Sequence, residues 1–110
     1  MEKFRIRPAY GDMQPLIEFC GDHRAPGFPD VARILAAALV ATRQDILPSA
    51  AETMIANDRY TSHWAYAGGT YEIDDDVWTC VVTVPDGGAQ VLADIEHALT
   101  HSGRFVRSFT

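Results

Sequence analysis

Only two of the 110 residues are cysteine, too few for the disulfide framework that staples small secreted domains. Cys20 and Cys80 each lie in an apolar run and read as small buried hydrophobes with free thiols. Long hydrophobic runs are lacking too. The longest, Ile34 to Ala41, is mostly alanine and far too short to span a bilayer, so no membrane partner is expected. Met1-Glu2-Lys3-Phe4 has no apolar core of the kind a signal peptide needs, and the location expected is cytoplasmic. Positive charge is scarce: nine Lys/Arg face fifteen Asp/Glu, for a net charge of −6. The imbalance sits late in the chain, where residues 61–110 carry two Lys/Arg and seven Asp/Glu. Such a field repels phosphate, which disfavours nucleic-acid binding, and speeds encounter with a cationic protein.

Catalytic signatures are equally sparse. There is no Gly-x-Ser-x-Gly elbow, Walker loop or dinucleotide fingerprint. Gly68-Gly69 and Gly87-Gly88 are too short to cradle phosphate, and Ser49, Ser62, Ser102 and Ser108 read as turn or cap residues. Cys20 near His23 makes a weak dyad, because the neighbouring Leu16-Ile17 run points to burial. The expectation is a protein that is not an enzyme, with no catalytic residue, no metal and no cofactor.

What the chain does have is the composition of one ordinary globular domain covering 1–110. A chain of this length buries roughly two-thirds of its unfolded surface, enough for a core without staples. Residues 3–7 alternate Lys-Phe-Arg-Ile-Arg, a strand pattern. The segment 1–30 is otherwise loop-rich, with Pro8, Pro15, Pro26 and Pro29 and a short apolar element over 16–20 of open type. Val31, Ile34, Leu35, Ala38 and Leu39 recur at helical spacing and predict a helix over 30–43. After Pro48, Ser49 with Glu52 forms a capping box for a short helix over 50–58. The chain then turns aromatic and β-branched from His63 to Asp74, split at Gly68-Gly69 by a bulge or tight turn. Asp74-Asp75-Asp76 reads as a second turn. Val77 to Val84 is the strongest strand, with Trp78, Cys80, Val82 and Val84 sharing one face, which places Trp78 in the core. Val91, Leu92, Ile95, Ala98 and Leu99 form the apolar stripe of a helix over 89–101, stopped by Gly103 in a left-handed cap. Residues 104–109 close as a short strand. The fold class is α+β: a mostly antiparallel sheet with helices packed on one face, in the order β-α-α-β-β-α-β, with 62–109 as an acidic ββαβ half.

The candidate site is Tyr71-Glu72-Ile73-Asp74-Asp75-Asp76-Val77-Trp78, where four carboxylates fall within five positions between two aromatics, just downstream of Trp64 and Tyr66. Adjacent aspartates diverge, and the glycine and distal glutamate of a calcium loop are missing, so paired-carboxylate or calcium chemistry is not favoured. If Glu72 faces solvent, Tyr71 lies half-buried on the other side. Asp94, His97 and His101 share the polar face of the last helix. This spacing opens the alternative of a small metal-dependent enzyme, using that face or the acidic turn. A third possibility is a structural module that pairs through the edge strand over 104–109.

Trp64, Gly69-Thr70-Tyr71-Glu72-Ile73, Asp75-Asp76-Val77-Trp78, Asp94-Ile95-Glu96 and Ser102-Gly103-Arg104-Phe105 together resemble a pattern among bacterial immunity proteins of contact-dependent and polymorphic toxin systems. The resemblance covers residues 62–107. It implies a cytoplasmic protein that binds a cognate toxin domain, frequently a basic nuclease, and occludes its active site. On that reading the partner-binding residues are Glu72, Asp74, Asp75, Asp76, Tyr71 and Trp64, with the acids steering the encounter and the aromatics anchoring it.

Overall fold

The computed structural model describes residues 1–8, 14–44, 60–85 and 88–109. Within them, seven strands form one mixed sheet: β1 (Glu2–Arg7), β2 (Leu16–Phe19), β3 (Thr42–Arg43), β4 (Tyr60–Tyr66), β5 (Gly69–Asp75), β6 (Cys80–Thr83) and β7 (Phe105–Arg107). Their spatial order is β3-β4-β5-β6-β2-β1-β7. Every neighbouring pair is antiparallel except β1 and β7. Two helices among the described residues, α1 (Val31–Leu39) and α2 (Ala89–His101), lie on one face. This is the α+β layout expected. Among the described residues, no helix is long and apolar enough to cross a membrane.

Period-two alternation decides which side chains enter the core. Phe4, Ile17, Phe19, Tyr71, Ile73, Cys80, Val82 and Phe105 face the helices and are buried with Leu35, Ile95 and Leu99. Phe19 and Phe28 both set their rings edge-on to Phe105, with centroids 5.2 and 5.9 Å away. The intervening strand residues occupy the opposite face: Lys3, Arg5, Arg7, Leu16, Glu18, Thr61, His63, Thr70, Glu72, Asp74, Val81 and Thr83. No described helix covers them.

Several boundaries differ from those read in the sequence. The open-type element at residues 16–20 is β2, which pairs with both β1 and β6. The first helix starts where expected, with the Asp30 carboxylate accepting from the Arg33 amide at 3.2 Å. It stops at Leu39 rather than Arg43, because Val40 turns left-handed (φ 55°) and Thr42 and Arg43 pair with Ala65 and Trp64. Edge pairing there outweighs the helical stripe. Gly68-Gly69 is the tight turn: Ala67 and Gly68 join β4 to β5, with Tyr66 paired to Gly69. The second turn falls at residues 76–79, not 74–76, because Asp74 and Asp75 pair with Val81 and Cys80. The last strand is shorter than the predicted 104–109 and supplies the parallel pair. Ser62, read as a turn or cap residue, is buried in β4. Gly103 takes the expected left-handed conformation, at φ 73°. The helix predicted over 50–58, with its Ser49–Glu52 capping box, lies outside the described residues.

Candidate functional site

Strand alternation sends the acidic stretch in three directions. Glu72 and Asp74 stand on the face of β5 turned away from the described helices. Glu72 Oε1 lies 3.0 Å from His63 Nδ1 on β4, and Thr61 Oγ1 donates to Asp74 Oδ1 at 3.3 Å. Asp75 sits at the sheet end and meets residues from the loop before α1. His23 Nε2 lies 3.0 Å from Asp75 Oδ1 and 2.7 Å from the Asp76 carbonyl. Arg24 donates to the same carboxylate oxygen through Nε at 3.2 Å and Nη2 at 3.1 Å. Asp76 folds back on the turn: its Oδ1 accepts from the Trp78 and Thr79 amides, both at 2.7 Å. The Asp76 amide donates to the Thr79 carbonyl at 2.9 Å. A side chain that satisfies amides two and three residues ahead replaces the bonds the strand gives up, and so closes the turn.

The closure reverses the place expected for Trp78. Its alternation with Cys80 and Val82 put it in the core, but β6 begins only at Cys80. Trp78 therefore sits on the turn with 85% of its surface exposed, beside the exposed Val77. Tyr60, at the adjoining end of β4, is also exposed, with the Arg24 guanidinium 5.8 Å from its ring centroid. The turn is thus an acidic end of the molecule with a braced, solvent-facing indole.

Two of the aromatics assigned to partner contact belong to the scaffold instead. Tyr71 is 0% exposed; burial pushes its phenol up to about 12, and its hydroxyl has no hydrogen-bond partner. It cannot touch a partner, because its position in β5 faces the helices. Trp64 is half-buried, lies parallel to the Tyr71 ring at 6.3 Å, and donates its indole N–H to Ser62 Oγ at 2.8 Å. His23, Arg24 and Tyr60 join the acidic end from outside the Tyr71–Trp78 stretch, and Trp78, expected in the core, belongs to it as a solvent-facing residue. The Asp76-x-x-Thr79 spacing, a side-chain-closed turn, was the local signal that could have moved Trp78 out of the core. His23 and Arg24 reach Asp75 from about fifty positions away and leave no local signal.

Behind Asp75, a cavity of about 220 Å³ is lined by residues including His23, Phe28, Asp30, Ile73, Asp75 and Cys80. The cysteine beside His23 here is Cys80, and Cys20 does not line the cavity. Burial first, and then the negative charge of Asp75, Asp74 and Asp76, push the Cys80 thiol up to about 12, so it is a poor nucleophile. On α2, the Tyr66 hydroxyl donates to Asp94 Oδ2 at 2.6 Å and Gln90 Nε2 donates to Oδ1 at 2.8 Å. These bonds hold the Asp94 carboxyl below its usual range, while burial, then the bond to Asp94, push the Tyr66 phenol up. His97 and His101 lie close on one helix face, their rings tilted at 42° with 4.2 Å between centroids. Among the described residues, no group of three or more His, Cys, Asp or Glu side chains is arranged to hold a metal ion. Comparison of the chain with protein-family models, curated proteins and solved structures gave no match.

Proposed function

We propose that this protein is a non-catalytic inhibitor of the immunity type, acting in the cytoplasm, which captures a basic toxin domain and covers its active site. The observation that carries the reading is Trp78: a large aromatic held in solvent by the Asp76 turn, with Val77 beside it and Asp74, Asp75 and Asp76 around it. Tryptophan is enriched among the few residues that carry most of an interface's binding energy, and a solvent-facing one is free to enter a partner's pocket. A net charge of −6 concentrated in residues 61–110 favours encounter with a cationic domain such as a nuclease. In this reading Trp78 and Val77 supply contact, Asp75 and Asp76 supply charge at close range, and Glu72 and Asp74 supply field from the neighbouring face. Trp64 and Tyr71 hold the sheet from behind.

The test is capture of a basic nuclease-type toxin domain, cloned from wherever the gene neighbourhood encodes one, by the tagged chain, with rates followed by stopped flow. Trp78→Ala should weaken the complex about thirtyfold, mainly through faster dissociation. Asp75→Asn should slow association and flatten its salt dependence. Failure of the toxin domain to bind, or rates unmoved by both substitutions, would reject the reading.

A further inference from the structure

The chain has four histidines, and the structure divides them in two. His23 is wedged against Asp75 and the Asp76 carbonyl, with its side chain 4% exposed. His63 lies 3.0 Å from Glu72. A carboxylate thus engages each of these. His97 and His101 differ. Both are exposed on α2, and among the described residues neither ring has a hydrogen-bond or ion-pair partner. Each has the other instead. They stand one helical turn apart on one face, with ring centres 4.2 Å apart and planes tilted at 42°.

Two imidazoles at this helical spacing can grip one ion between them. Metal–imidazole bonds of about 2.0–2.1 Å put the centres of two rings on one ion about 4.5–5 Å apart. The observed pair misses that by less than about 1 Å, a shift that exposed side chains make freely. We propose that His97 and His101 chelate one divalent transition-metal ion, of the zinc, nickel or copper class, through one ring nitrogen each. The placement favours a dication. The two rings bracket the last turn of α2, where the helix dipole is negative, in the half of the chain that carries seven Asp/Glu against two Lys/Arg. Imidazole as donor selects these metals over magnesium and calcium. Asp94, one turn earlier, adds charge but no ligand, because Tyr66 and Gln90 occupy both of its oxygens. Two protein ligands are fewer than a closed structural site has, so water fills the remaining positions. Beside His101 a groove of about 390 Å³, lined by Ile34, Ala37, Ala38, Ala98 and Ser102, gives that water room. The site is thus one for reversible capture of an ion, and the fold does not depend on it.

The experiment is calorimetric titration of the untagged full chain with Ni²⁺ and with Zn²⁺. Wild type should bind one ion per chain, with a Kd of about 1–100 µM, and excess Mg²⁺ should not compete. His97→Ala and His101→Ala should each weaken binding about tenfold or more. The double variant should bind no more than marginally worse than either, because a chelate broken at one end is lost as a unit. His63→Ala should leave the affinity unchanged. Circular dichroism checks that the variants fold. Paramagnetic resonance of the wild-type chain loaded with Cu²⁺ gives a reading that needs no variant, and it should show two nitrogen donors. Four results would overturn the proposal: no saturable binding below about 1 mM, a single nitrogen donor, an affinity indifferent to both substitutions, or two losses that add instead of coinciding. None of these residues belongs to the acidic end, so toxin capture through Trp78 stands or falls separately.

Discussion

The Asp76 carboxylate holds Trp78 away from the protein: it accepts the Trp78 amide at 2.7 Å while the residue stays 85% exposed. The side chain that stabilises the turn is thus also the one that presents the aromatic. Contact area and its support come from residues two apart, and the contact can be removed without touching the core.

Trp78→Phe should therefore strip away the solvent-quenched part of the tryptophan fluorescence and leave the blue-shifted emission of Trp64, which is packed on Tyr71. Acrylamide quenching reads the difference. Stability in urea should change by no more than about 0.5 kcal/mol. Asp76→Ala, by contrast, should cost about 1 kcal/mol through the two amides it orphans.

Glu18 ties β2 to β1 through two arginines, and the bond from Arg7 first, then that from Arg5, hold its carboxyl below the ordinary 4.5. A depressed carboxyl stabilises the fold above its ordinary range, and the contribution disappears as pH falls through the folded-state value. Glu18→Gln should lose about 1 kcal/mol at neutral pH, since the arginines are part-exposed and screened. Urea titrations of the variant and wild type should converge in acid, once Glu18 is protonated in both states. A gap that persists there would assign the loss to packing.

Cys80 gives the opposite signature. Its thiol is raised from 9.0 to about 12, so above 9 the unfolded chain ionises while the folded one stays neutral. Stability should fall between those two values, and Cys80→Ala should flatten that alkaline slope. With a thiol-reactive disulfide reagent near neutral pH, the half-buried Cys20 should label first and Cys80 only when the protein unfolds.

Elements whose signal is local were readable in the chain. Lys-Phe-Arg-Ile-Arg alternates over a strand with one face buried, and the stripe from Val91 to Leu99 lies on a helix running 89–101 as expected. The fold class followed from these. What escaped was decided by distant residues. Leu16–Phe19 is too short to show its period, and is a strand because β1 and β6 flank it. Thr42 and Arg43 leave a helical pattern because β4 offers an edge. In the site, the grouping of the four acids was legible but their divergence across two faces and a turn was not. Trp78 was misplaced because alternation alone does not say where a strand begins.

The pairing of β1 with β7 has a consequence for how the chain is made. Phe4 and Arg107 are register partners though about a hundred positions apart. A ribosome delivers Phe4 about a hundred residues before Arg107, so one hydrogen-bonding edge of β1 stays bare over that interval. Bare edges recruit stray strands, and contacts this remote form late. The nascent chain thus carries an exposed edge until β7 emerges, and chaperones that shield strand edges should raise its yield.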